Sequence, residues 1–93
     1  MDRRLFPELE VVFDESAQRS ITKALNASAF DWIKRADFNI EELLDLSSGD
    51  VVSFPGLPAT CQLRVTGKHH CHPAKGEPFI QLTFSGSELP LLP

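Results

Sequence analysis

A chain of 93 residues can enclose one modest hydrophobic core but not a second, and its 42% hydrophobic and 24% charged residues are those of a folded soluble protein rather than a disordered one. The formal net charge of -4 speaks against a general nucleic-acid binder, whose affinity comes from neutralising phosphates with Lys and Arg. No apolar run approaches the roughly 18 residues of a membrane span, and the opening MDRRLFPELEVVF lacks the apolar stretch and cleavage site of a secretion signal, so a cytoplasmic protein with no membrane attachment is expected.

The first predicted element is the strand ELEVVF (8–13), short, β-branched and bounded by Pro7 and Asp14. The period then changes. In DESAQRSITKALN the apolar residues Ala17, Ile21, Ala24 and Leu25 recur at helical spacing, with Asp14 or Ser16 as N-cap and Asn26 at the end. A second helix follows, opened by Ser28 with Asp31 three residues on, a weak form of the capping box, and carrying Ala29, Trp32, Ile33 and Ala36 as its buried stripe. Asn39 caps a short helical turn with Glu41 and Glu42 near its positive end.

Beyond the break at 47–50 the chain becomes strand-like. VVSF (51–54) is a strand signal and PGLP (55–58) a turn. TCQLRVT (60–66) and PFIQLTFSG (78–86) both alternate apolar and polar residues, and they pair as a hairpin across a loop at 67–77 that should be more mobile than its strands. SELPLLP (87–93) reads as an extended tail. The segment LDLSSGDVVSF resembles the entry of a chain into a small β-barrel, a pattern too loose to identify a family.

This order implies one α+β domain over 1–93: a small antiparallel sheet of about four strands packed on two N-terminal helices, open or curled into a partly open barrel. Its core should gather Ile21, Leu25, Ile33, Val52, Leu63, Val65, Ile80 and Leu82, with Phe30, Trp32 and Phe38 more simply core than an exposed partner surface.

The chemistry is concentrated in GKHHCHPAKG (67–76), which holds every histidine of the chain and one of its two cysteines. Residues 1–50 carry eleven of the thirteen acids but six of the nine Lys and Arg, so the second half is mildly basic. Arg64, Lys68, His69, His70, His72 and Lys75 form the one plausible cationic patch, suited to an acidic protein or another anionic ligand, with a merely solvated face as the plainer account. The alternative is zinc held by His70, His72, Cys71 and Cys61; two ligands on one side of an extended segment come easily, but a closed site needs four. Cys71 as a nucleophile ranks third, because neighbours along an extended chain point to opposite faces. Cys61 and Cys71 are expected as free thiols, though a hairpin turn at 65–67 would set them opposite one another.

The acidic residues Glu41, Glu42, Asp45 and Asp50 lack the alternating loop of a calcium site. No phosphate-binding loop, nucleophile elbow or dinucleotide fingerprint occurs. The expectation is therefore a small soluble binding or regulatory module, non-catalytic and without a cofactor, whose partner the sequence does not name.

Overall fold

The computed structural model describes residues 2–87; the expected tail, apart from Ser87, lies outside them. Five strands, β1 (Asp2–Phe6), β2 (Leu9–Phe13), β3 (Val51–Ser53), β4 (Gln62–Cys71) and β5 (Phe79–Ser87), form one sheet in the order β1-β2-β5-β4-β3. Three helices, α1 (Glu15–Leu25), α2 (Ala29–Arg35) and α3 (Ile40–Leu44), lie between β2 and β3 in the chain. The expected α+β class holds. The sheet is mixed and open, neither wholly antiparallel nor curled into a barrel: β2 runs parallel to β5, Leu9 beside Ile80 and Phe13 beside Phe84, while the other pairs are antiparallel. The parallel step follows from connectivity, because the helices carry the chain across the sheet between β2 and the later strands.

The helix ends form where their caps predict. Asp14 accepts from the Ala17 amide at 2.9 Å, and α1 closes on Asn26 in the left-handed conformation, φ 51°. Asn39 likewise accepts from the Glu42 amide. Ser28 is the N-cap of α2 but makes no side-chain cap bond. The turn at PGLP is type II: the Leu57 amide donates to the Phe54 carbonyl and Gly56 takes φ 82°. The Trp32 indole N–H closes that turn by donating to the Pro55 carbonyl at 3.0 Å.

One core lies between the helices and one face of the sheet, with no buried polar side chain among the described residues. Of the expected members, Ile21, Ile33, Leu63, Val65 and Leu82 are buried, and Leu25, Val52 and Ile80 pack against them half-buried. Phe13, Trp32, Phe38, Phe54 and Phe84 add an aromatic cluster. Phe30 is the exception, 48% exposed with the Lys34 ammonium over its ring.

Asp14 ties α1 to β5. Burial opposes its ionisation, but hydrogen bonds from the Ser85 hydroxyl, the Ala17 amide and Ser16 outweigh that and hold the carboxyl below its ordinary 3.8. A carboxyl depressed in the folded state stabilises above its unfolded pKa and loses that contribution as pH falls through the folded value. Asp14→Ala should therefore cost about 1–2 kcal/mol at neutral pH. In urea titrations read by Trp32 fluorescence, the gap between variant and wild type should narrow on acidification; a gap independent of pH would contradict the assignment.

Candidate functional site

β4 is the strand that carries the histidines, and its second half departs from the alternation of its first. Leu63 and Val65 point into the core. Continued without interruption, that phase would turn Gly67, His69 and Cys71 inward as well. The register instead slips between Val65 and Gly67, where a β-bulge makes Thr66 the extra residue. Lys68 thus lies opposite the buried Leu82, and His70 opposite Ile80, on the helix-bearing face. His69 and Cys71 go to the outer face, where the His69 ring stands over Gly67 beside Thr83.

The expected loop at 67–77 is accordingly shorter than the glycines suggested. Gly67 to Cys71 belong to β4, and only 72–78 connects it to β5. The turn at 65–67 that would have set the cysteines opposite one another is this bulge; Cys61 and Cys71 are free and lie at the two ends of the strand.

The six residues of the cationic patch do not share one surface. Arg64 and His69 are on the outer face, Lys68 and His70 on the inner, and Lys75 in the connecting loop. His72 lies just past β4 and joins His70 in lining a shallow pocket. Lys68 is committed elsewhere: its ammonium donates to the carbonyls of Leu44 and Leu46 at 2.8 and 2.9 Å, satisfying acceptors left open at the end of α3. No local pattern announces this clamp, because it depends on the phase change at the bulge.

The pocket has about 250 Å³ and is lined by Glu8, Leu44, His70, His72, Pro78, Phe79 and Ile80. Only the two histidines of that set were legible as site residues from the sequence. The pocket is smaller than the roughly 300 Å³ at which small-molecule sites begin, and it opens broadly to solvent.

The zinc set does not assemble in this conformation. Among the described residues no three His, Cys, Asp or Glu side chains are grouped to hold a metal. Cys61 is buried at the far end of β4, about 30 Å of extended chain from His70. Its thiol donates to the Ser20 carbonyl, and burial pushes its pKa up, away from the thiolate a metal requires. Cys71 faces away from His70. Zinc should therefore raise the melting temperature no more for the wild type than for the double variant His70→Ala and His72→Ala; a one-to-one complex lost in that variant would overturn this expectation.

What Lys68, His69 and His70 do flank is an edge. β3 pairs only with Gln62 to Arg64, and two further bonds join Val65 to Gly49 and Asp50. Among the described residues, past Val65 the strand is paired on the β5 side alone. On β5, Ile80 and Phe84 direct their backbone groups to β2; their partners on β4 therefore turn outward, and so do Lys68 and His70. Hydrogen exchange should follow this alternation, with His69 and Cys71 amides protected and those of Lys68 and His70 fast. Uniformly fast exchange across 67–71 would mean that this half of β4 is loop.

No protein-family model, curated protein or solved structure matches the chain, so its chemistry has to be read from its own residues. Among the described residues no helix is long and apolar enough to cross a membrane.

Proposed function

We propose that the chain is a non-catalytic module that binds a protein partner along the second half of β4. The observation that carries this reading is the overshoot of β4 beyond β3: among the described residues, Gly67 to Cys71 have a partner strand on one side only, with exposed imidazoles on both faces. Residues on opposite faces of a strand cannot serve one flat surface, but Lys68, His69 and His70 all border its edge. A non-catalytic role is favoured because none of the three shallow pockets described combines a histidine with a serine or cysteine. The two free thiols suit the reducing cytoplasm.

The test is crosslinking and mass spectrometry in extract of the source cells, with the wild type and the double variant His70→Glu, His72→Glu in parallel. A protein captured by the wild type and lost from the variant is the expected result. Identical capture by both, or capture of nothing, would remove the reading.

A further inference from the structure

The geometry points to the mode of that binding: we infer that an extended, acidic segment of a partner protein adds to the sheet as a sixth strand, pairing with the outward backbone groups of Lys68 and His70. The inference rests on the binding-module reading and adds to it a site, a conformation and a charge. Two N–H and two C=O groups at alternate positions along one strand are what an added strand pairs with, and main-chain bonding of this kind supplies affinity while flanking pockets supply selectivity. The pocket between His70, Leu44 and Ile80 lies on the inner face at this level, where an inward side chain of the added strand would seek apolar cover.

The charge of the occupant follows from the composition around the edge. No Asp or Glu occurs between Asp50 and Glu77, while Arg64, Lys68, His69, His70, His72 and Lys75 fall within that interval. Lys68 is spent on the carbonyls of Leu44 and Leu46, which leaves the imidazoles at the free edge, with Arg64 exposed one step back beside β3 and Lys75 in the connecting loop. Two carboxylates share this region: Glu8 lines the pocket with His70 and His72, and Glu77 lies in the connecting loop with Lys75, so the basic excess is that of the strand 62–71 itself, which holds no Asp or Glu. Asp50 accepts from the Ser47 amide where β3 begins. Asp45 adjoins the carbonyls that hold the Lys68 ammonium.

A second copy of the chain is the competing occupant, since antiparallel pairing of Lys68 with the other copy's His70 would also use all four groups. It would set basic edge against basic edge, and like charges across a strand pair are unfavourable.

The experiment is selection from a displayed library of random ten-residue peptides against the full chain, followed by affinity measurement on His70→Pro. Proline removes the outward N–H of His70 without touching the β5 ladder, a position where an edge strand tolerates it; unchanged Trp32 fluorescence and retained His69 and Cys71 amide protection establish that the variant is folded. Enriched peptides should carry several Asp or Glu among alternating apolar residues, should shift the Lys68 and His70 amide resonances, and should bind His70→Pro at least tenfold more weakly. N-methylation of alternate residues in an enriched peptide should abolish binding to the wild type, a result independent of how the protein variant folds. Peptides that bind His70→Pro as tightly as the wild type would overturn strand addition while leaving a binding module in place. Peptides without acidic bias would overturn the partner chemistry, and an empty selection would take both readings down. Sedimentation showing a dimer that His70→Pro dissociates would assign the edge to a second copy and sink the proposal.

Discussion

Phe84→Ala should lower the stability of the fold by about 3–5 kcal/mol, among the largest effects expected of a single truncation. Phe84 is fully buried in the central strand; it stacks on Phe13 at 5.5 Å between ring centroids and meets Phe54 edge-on at 5.2 Å. Phe13 and Phe54 in turn contact Trp32, so the cavity would open beside the chain's one tryptophan. The void would be walled by rings from separate segments, Phe13 in β2, Trp32 in α2 and Phe54 just after β3, which limits its collapse. Domains of this size have about 5–15 kcal/mol in total, so the loss removes a large share of it. Urea unfolding followed by Trp32 emission measures the change directly. A cost below about 1 kcal/mol would mean that the aromatic cluster is not packed as described.

Gly86→Val should be nearly as damaging, for the opposite reason. A Cβ at Gly86 would stand 2.7 Å from the Ser16 carbonyl oxygen and closer still to the Ser20 hydroxyl, so α1 would have to lift from β5. The obstacle is helix backbone, which no rotamer change relieves, and the Gly86 amide bond to the Ser16 hydroxyl would be lost with it. Overpacking of this kind costs about 3 kcal/mol, at the upper end of its usual range. Gly67→Ala is the control: its Cβ would crowd only the tip of the His69 side chain, which can swing aside, and would meet Thr83 at an ordinary 3.8 Å. Near-equal costs for the two substitutions would contradict the close approach of α1 to Gly86.

Local order was legible wherever the signal is local. Asp14, Asn26 and Asn39 cap the helices as their residue types dictate, and the Ala29, Trp32, Ile33 stripe is buried as its spacing requires. β1 carries no strand signal, because DRRLF has no alternation and three charges, which suits the edge position it occupies. The parallel pairing of β2 with β5 was out of reach, since alternation fixes which residues share a face and says nothing about the neighbour or its direction. The histidine stretch differs from its sequence signal at one place. Gly67 has the composition of a loop start, whereas it follows a bulge in a continuing strand, and that single extra residue reverses the face of everything after it. The pairs His70 with His72 and His69 with Cys71 were foreseeable; which pair lies beneath α3 was not.

The sheet order also constrains how the protein is made. Of the described strands β5 is synthesised last, yet it lies between β2 and β4, so a ribosome that has released everything through Cys71 has released two hairpin fragments with no described strand to join them. Residues 9–13 must wait for 80–84 across a long intervening loop, whose closure is entropically costly before it is rewarded. Folding is thereby deferred until synthesis of the central strand is complete, and during that interval the apolar face of β2 and the faces of α1 and α2 are open to chaperones or to other nascent chains.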